Sequence, residues 1–107
     1  MNYQYKAKIT NVVDGDTVDA LVDLGFKVQI AQRLRLARVD TPERTQANYQ
    51  TAKDFVKDLV DGKEVTITTH KVSKWGYFLA DVVVEGRDVS DMLIAANLGK
   101  SYDGGTK

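Results

Sequence analysis

Residue types with strong chemistry are missing or scarce in this sequence of 107 residues, which has no cysteine, one histidine and one proline. Without thiols, thiolate metal sites, redox switches and cysteine nucleophiles are excluded. The one histidine, His70, has no second histidine or cysteine beside it to form a metal site, so we interpret it as a strand-end residue. The one proline, Pro42, fixes the turn between Thr41 and Glu43.

Long apolar stretches are also absent. No run approaches the roughly 18 apolar residues of a transmembrane helix, and the start, MNYQYKAKIT, lacks the apolar centre of a signal peptide. We therefore expect a cytoplasmic protein without a membrane partner. We also expect a monomer that forms a single domain over residues 1–107.

Net charge is the third quantity that the sequence lacks. Its 15 basic and 15 acidic residues give a formal net charge of zero. Proteins that bind duplexes without sequence specificity are usually basic, because neutralising phosphates supplies their affinity. Any role with nucleic acid must therefore rest on a local patch of charge.

What the sequence does contain is clear periodicity. Alternating apolar and polar residues predict three strands, over residues 3–13, 18–23 and 26–36. The turns between them are predicted at residues 14–17 and 24–25, where aspartate and glycine occur. Three strands in a meander therefore form the first third of the chain.

A helical period follows. Apolar residues at helical spacing predict an amphipathic helix over residues 52–60, and Gly62 is placed to end it. Alternation then predicts a fourth strand at residues 65–69 and a fifth at residues 77–84. A short second helix is predicted at residues 89–96, followed by Asn97, a residue type that accepts the left-handed conformation at a helix end.

The order of these elements predicts the fold class. Three strands, a helix, two strands and a helix indicate a mainly β (α+β) protein with the OB-fold. This is a five-stranded Greek-key barrel with one helix between strands 3 and 4 and a second, short helix after strand 5. A half-open α+β sandwich would give a similar pattern.

Residues 33–43, RLRLARVDTPE, concentrate the charged side chains. Four of the five arginines, at positions 33, 35, 38 and 44, lie in or beside this stretch, together with Asp40 and Glu43. The planar fork of arginine matches phosphate oxygens in a bidentate way. The stretch therefore predicts a phosphate-handling site with a cation nearby.

Two motifs in this order resemble a known family. Residues 14–17 read DGDT, and residues 35–43 read R-x-x-x-x-D-T-P-E. Together they resemble the signature of the staphylococcal-nuclease-like (thermonuclease) family. The resemblance extends to GKEVTI at residues 62–67, to LAD at residues 79–81 and to YDGG at residues 102–105.

The resemblance implies a calcium-dependent nuclease on an OB-fold, hydrolysing phosphodiester bonds of DNA or RNA, with single strands as the expected partner. Matched residue by residue, Asp16 and Asp40 would be carboxylate ligands of the calcium ion, and Thr41 would add its backbone carbonyl. Glu43 would orient or deprotonate the attacking water. Arg35 would bind the scissile phosphate and stabilise its developing charge. These oxygen ligands suit calcium, which takes about six to eight of them.

One position departs from the family. Its second catalytic arginine follows the glycine of K-Y-G-R, whereas residues 74–77 read KWGY here, so Tyr77 stands in its place. Arg87 lies in the turn after the fifth predicted strand and does not match the motif. The alternative to a nuclease is therefore a non-catalytic nucleotide-binding, nucleic-acid-binding or protein-interaction module on the same fold. The candidate cations for replacing the arginine are Arg33, Arg38, Arg44 and Lys74.

Several further residues have two interpretations each. Trp75 and Tyr102 either stack on bases or pack on the barrel edge, and Lys74 and Tyr77 join them as candidate substrate-binding residues. Structural alternatives also exist for the main site. They are a plain turn for Asp16, a helix cap for Glu43 and a solvated barrel exterior for Arg33 and Arg35.

Overall fold

The computed structural model describes residues 3–72 and 77–101, without the side chains of residues 71 and 72. Its regular elements follow the predicted order, with some short strands added. They are β1 (Tyr3–Asp14), β2 (Thr17–Asp23), β3 (Gln29–Leu36), β4 (Val39–Asp40), α1 (Tyr49–Val60), β5 (Glu64–Val72), β6 (Phe78–Val84), β7 (Arg87–Asp88), α2 (Val89–Ala95) and β8 (Lys100–Ser101).

The five long strands close into a barrel. Antiparallel pairing joins β3 to β2, β2 to β1, β1 to β5 and β5 to β6. A parallel pairing of β3 with β6, in which Leu34 lies opposite Phe78, completes the ring. Because the ring is closed and α1 lies in the chain between its third and fourth strands, the predicted OB-fold is confirmed and the half-open sandwich is wrong.

Alternation along the strands fills the interior of the barrel. Ile9, Leu34 and Ile67, from three different strands, are each at most 1% exposed. The apolar stripe of α1 covers one end of this core, and Ala52, Val56 and Val60 are buried there as the helical spacing predicts. A second contribution comes from α2, whose Leu93 is fully buried.

The helix ends agree with the sequence. Gly62 follows α1 with φ 73°, and Asn97 follows α2 with φ 60°, so each adopts the left-handed conformation that ends a helix. At its start, α2 is capped by Asp88, whose carboxylate accepts a hydrogen bond of 3.1 Å from the Asp91 N–H. Within residues 3–72 and 77–101, no helix is long and apolar enough to cross a membrane.

The predicted start of the third strand is wrong. That strand begins at Gln29 rather than at residue 26, since Phe26 and Lys27 have φ of 55° and 63° and belong to the turn. The turn closes where the Leu24 N–H donates to the Val28 carbonyl at 2.9 Å. Phe26 is fully exposed at its tip. The alternation of apolar residues continues through this turn, so hydrophobicity alone gave no sign of its end.

Candidate active site

Strand pairing sets the first contact of the site. In the β2–β3 ladder, Thr17 lies opposite Arg35, and the Leu36 N–H donates to the Asp16 carbonyl at 2.8 Å. The turn at residues 14–17 is thereby fixed beside the end of β3. The two motifs, 18 residues or more apart in sequence, become neighbours because these strands are antiparallel partners.

Arg35 joins the two motifs through its guanidinium group. Its Nη2 lies 3.4 Å from Asp16 Oδ2 and 3.3 Å from Asp40 Oδ1. Its Nη1 donates to the carbonyls of Leu36 and Val39, at 3.2 Å and 3.1 Å, so the chain after β3 folds around the guanidinium. With only 16% of the side chain exposed, the arginine is held in one place, and a fully solvated exterior position is wrong for it.

Asp16 connects the turn at residues 14–17 to the turn that begins at Thr41. It is 8% exposed, and its Oδ2 accepts a hydrogen bond of 3.1 Å from the Thr41 N–H. Its Oδ1 accepts from the Thr17 hydroxyl at 3.2 Å. A buried carboxylate that contacts a cation and two donors has more than the local role of a turn residue, because its desolvation must be offset by those partners.

Gly15 permits the close approach of the two turns. A Cβ at this position would lie 2.9 Å from Thr41 Oγ1 and 3.1 Å from the Ala52 Cβ. The Thr41 hydroxyl is itself buried and has no hydrogen-bond partner within the described residues. A buried hydroxyl without a partner among the described residues is unusual in a protein interior, and this one lies against Gly15.

Glu43 lies in the exposed turn after this cluster. Its backbone N–H donates to Gln46 Oε1 at 2.8 Å, and its carbonyl accepts from the Gln46 N–H at 2.8 Å. The helix α1 begins only at Tyr49 and has Asn48 at its N-cap. Glu43 is therefore outside the first turn of α1, and the interpretation of Glu43 as a helix cap is wrong.

A cleft of about 570 Å³ brings the carboxylates together with a cation that the sequence analysis did not single out. Asp40, Thr41 and Glu43 line it, and so do Gln46 and Lys100. Lys100 lies opposite Asp40 in the antiparallel pairing of β4 with β8, so the two side chains are cross-strand neighbours. This pairing joins residues 60 positions apart, and no local pattern announces it.

The donor set has the chemistry of a site for a hard cation. Asp16 and Asp40 offer carboxylate oxygens and Thr41 its backbone carbonyl, without nitrogen or sulfur, which is the set that calcium prefers. Among residues 3–72 and 77–101, however, no three acidic or histidine side chains form a metal-binding group. A cation here would thus be held by two carboxylates and the threonine, and its other positions would be left for water and substrate.

Comparison with known proteins agrees with these motifs. A family model described as "Staphylococcal nuclease homologue" matches residues 33–104, more than half of the chain. The chain belongs to the staphylococcal-nuclease-like family. The matched range includes Arg35, Asp40, Thr41 and Glu43, while the turn that carries Asp16 precedes it.

Relatives in this family include proteins named as nucleases. Over 97 residues the chain is 30% identical to a protein of Escherichia coli O157:H7 named an uncharacterized endonuclease, with 90% of this chain and 60% of the relative covered. It is 33% identical over 78 residues to the micrococcal nuclease of Shigella flexneri, with 73% and 42% covered. An uncharacterized protein of Bacillus anthracis is 33% identical over 103 residues, with 88% and 46% covered. The chain thus spans 60% or less of the length of these relatives.

Tyr77 stands where the motif of the staphylococcal-nuclease-like family has an arginine. Another cation would therefore have to supply the missing positive charge. Arg38 is surrounded by Asp81, Asp88 and Asp91, at 3.3, 3.1 and 3.2 Å, against β6 and α2. Three carboxylates around one guanidinium leave an excess of negative charge, which opposes the approach of a phosphate. Arg38 therefore does not suit the role of the missing arginine.

The other cations named for that role lie in different places. Arg44 is in the exposed turn after Glu43, with its Nε 3.9 Å from Asp14 Oδ1 and 76% of its side chain exposed. Arg33 lies on β3, where its guanidinium contacts Asp19 and the hydroxyl of Tyr77. Arg33 thus contacts the tyrosine itself.

The remaining candidates are less informative. Lys74, Trp75 and Tyr102 lie outside the residues that the structure describes, so their predicted substrate-binding roles stay predictions. His70 is near the end of β5, as expected, and its Nε2 forms a hydrogen bond of 2.9 Å with Asp81 Oδ2.

Proposed function

We propose that this chain is a calcium-dependent nuclease that hydrolyses phosphodiester bonds of DNA or RNA, with single strands as its preferred substrate. The observation that carries the proposal is the shared contact of Arg35 with Asp16 and Asp40 at the edge of the cleft that contains Glu43. Membership in the staphylococcal-nuclease-like family and the relatives named as nucleases support it.

Arg35 has the geometry of a phosphate-binding residue. Its guanidinium is fixed by two backbone carbonyls and two carboxylates before any substrate arrives. Fixed donors stabilise charge that develops in a transition state without first having to reorganise. Arg35 would thus bind the scissile phosphate and stabilise the charge that builds up on its oxygens.

The balance of charge favours a divalent cation. Asp16, Asp40 and Glu43 carry three negative charges, while Arg35 and Lys100 carry two positive charges, which leaves one negative charge in excess. A phosphodiester adds another, so binding it to the protein alone opposes like charges. Calcium held by Asp16, Asp40 and Thr41 would supply positive charge beside the phosphate oxygens and polarise water.

Glu43 is positioned to act on that water. It lines the same cleft as Asp40 and Thr41, and the hydrogen bonds of its backbone with Gln46 hold the turn in place. A carboxylate within reach of a water can orient it and accept its proton. Glu43 would therefore serve as the general base, with its side chain exposed to the solvent from which the water comes.

Digestion of labelled single-stranded DNA tests the proposal. The wild-type chain should cleave it with calcium, and a chelator should stop the cleavage. Glu43→Gln should lower the rate by about a hundredfold or more, because it removes the base and keeps the size of the side chain. Glu85→Gln is the matched control, since Glu85 is exposed and pairs with Lys63 at 3.6 Å away from the cleft. The absence of calcium-dependent cleavage by the wild-type chain would reject the proposal.

A second candidate function rests on one observation, the tyrosine at position 77. A phenol carries no charge at neutral pH, and a missing arginine in phosphoryl transfer lowers rates by up to about 10⁵-fold. A non-catalytic module for nucleotides or nucleic acid would bind single strands in a salt-dependent way without cleaving them. Tyr77→Arg should then raise the cleavage rate from the background, whereas a fast wild-type enzyme would contradict this alternative.

A further inference from the structure

The outer face of β3 carries a second arginine beside Arg35. Arg33 and Arg35 are two residues apart, so their side chains leave the same face of the strand from Cα atoms about 6.5–7 Å apart. That separation is comparable to the distance between neighbouring phosphates of an extended nucleic acid strand. Arg33 differs from Arg35 in being open to solvent, with 45% of its side chain exposed.

Asp19 holds the Arg33 guanidinium in a fixed orientation. Its Oδ1 accepts from Nε at 2.8 Å and its Oδ2 from Nη2 at 3.2 Å, which is the bidentate arrangement of an arginine with a carboxylate. Hydrogen bonding to Arg33 holds the pKa of Asp19 below its usual value. Because Asp19 lies opposite Arg33 in the β2–β3 ladder, the pairing follows from the strand register.

Tyr77 approaches Arg33 from the other side. Leu34 pairs with Phe78 in the parallel β3–β6 ladder, so the preceding residues, Arg33 and Tyr77, lie side by side. The Tyr77 hydroxyl is within hydrogen-bond reach of the guanidinium and, after the larger effect of Asp19, contributes to raising the pKa of Arg33. The guanidinium is therefore held by one carboxylate and one neutral oxygen, whereas that of Arg38 contacts three carboxylates.

We propose that Arg33 binds the phosphate next to the one held by Arg35, and that its bidentate pair with Asp19 gives way to that phosphate. The inference rests on the proposed function for the identity of the substrate, a single strand with successive phosphates. Arg33 is a second phosphate-binding residue, and Asp19 is its partner in the absence of substrate. A phosphate that reaches Arg33 competes with the Asp19 carboxylate for the same N–H groups.

That competition gives the two members of the ion pair opposite predicted effects. Arg33→Ala should weaken binding of a five-residue oligothymidylate about tenfold, the loss of one charged contact. It should also reduce the slope of log affinity against log salt by about 0.7, the value for one phosphate of a single strand. Asp19→Asn should leave binding unchanged or strengthen it, because the amide no longer competes with the phosphate. Arg33→Lys should keep the salt slope and recover part of the affinity.

The measurement is fluorescence anisotropy with calcium present, on the Glu43→Gln background so that the oligonucleotide stays intact. Thymidine 5′-monophosphate, with a single phosphate, serves as the second ligand by calorimetry, and Arg33→Ala should not change its affinity. Urea unfolding of each variant reports any loss of stability, which a surface ion pair makes small. If Arg33→Ala and Asp19→Asn change stability equally and leave affinity and salt slope unaltered, the pair is structural only and the inference is overturned.

Cleavage by the wild-type chain, measured in parallel, separates this inference from the proposed function. Binding that depends on Arg33 without any calcium-dependent cleavage would uphold the subsite and reject the nuclease. Normal cleavage with a KM that is insensitive to Arg33→Ala would uphold the nuclease and reject the subsite. An increase in KM with little change in kcat for Arg33→Ala would support both.

Discussion

Arg35 and Arg38 are three residues apart, and both are surrounded by carboxylates, yet the structure uses them in opposite ways. Arg35 leaves the outer face of a barrel strand, is 16% exposed, and contacts two carboxylates at the edge of a cleft. Arg38 lies in the turn after that strand with φ 69°, is 49% exposed, and contacts three carboxylates, one each from β6, β7 and α2.

The difference shows what turns a charged cluster into a candidate site. Two backbone carbonyls accept hydrogen bonds from Arg35, so its orientation does not depend on its carboxylate partners alone. One of these carboxylates, Asp40, also lines the cleft. Partial burial lowers the pKa of Arg38, but Asp88, Asp91 and Asp81 raise it above the usual value overall. The excess of negative charge around Arg38 repels a phosphate, and its ion pairs instead join the β3–β4 turn to β6 and α2.

The largest expected contrast is in the rate of cleavage. Arg35→Ala should lower the single-turnover rate about a thousandfold or more, the loss that follows removal of fixed transition-state donors. Arg38→Ala should stay within a few-fold of the wild type, because its guanidinium does not reach the cleft. Rates of oligonucleotide cleavage with calcium measure both.

Arg35→Lys tests the role of the guanidinium even if the alanine variant does not fold. It keeps the charge between Asp16 and Asp40 but loses the planar fork, and should still be at least about a hundredfold slower. The Arg35 and Arg38 variants should differ in cleavage rate while urea unfolding shows that all of them are folded. Equal cleavage rates would mean that the cluster around Arg35 has no catalytic role that the cluster around Arg38 lacks.

A smaller contrast tests the close packing beneath Arg35. Gly15→Ala introduces a Cβ that meets Thr41 Oγ1 at 2.9 Å, so we expect about 1–3 kcal/mol of destabilisation from overpacking, with slower cleavage as Thr41 moves. Gly25→Ala is the matched control in a turn with φ 82° and no atoms within 4 Å. It should cost about 1 kcal/mol of backbone strain and leave cleavage unchanged.

Urea unfolding of both variants, together with their cleavage rates, checks this pair. The cleavage rate is the decisive measurement, because both substitutions are expected to lower stability. If Gly15→Ala lowers stability without affecting the cleavage rate, the packing of Thr41 against the first turn does not matter for the site.

The smallest contrast concerns the backbone of Arg38. Arg38→Ala loses three exposed ion pairs, which together contribute about 1–2 kcal/mol, and keeps an L-residue at φ 69°. Arg38→Gly loses the same pairs but relieves the left-handed conformation, so it should be more stable than the alanine variant by about 1 kcal/mol. The two free energies of unfolding in urea measure the difference. An alanine variant as stable as the glycine variant would mean that the turn adjusts its backbone.

Much of the fold could be predicted from periodicity. The stripe of α1, the closing positions at Gly62 and Asn97, and five long strands follow from hydrophobic spacing and from residues that accept a positive φ. The start of β3 could not, because the apolar alternation runs through the turn at Phe26 and Lys27. The β4–β8 pair could not be predicted from the sequence either, because a strand of two residues is too short to show alternation.

The candidate site was predictable to a similar degree. Asp16, Arg35, Asp40 and Thr41 were recognised from two motifs, and the structure brings them into one cluster. Lys100 was missed because it reaches the cleft through pairing with Asp40 across most of the chain. A lysine near the end of a domain has no local feature that marks such a position.

The sequence by itself determined the order of elements and the residue types of the site, because periodicity and motif spacing are local properties of the chain. Tertiary structure alone decided what surrounds each arginine, since Arg33, Arg35 and Arg38 belong to one stretch and differ in the neighbours that they meet. Strand register placed Asp19 and Tyr77 beside Arg33. A left-handed turn directed Arg38 to α2. The partners of Arg33 and Arg38 lie 14 to 53 positions away in the sequence, and these contacts exist only once the barrel has closed.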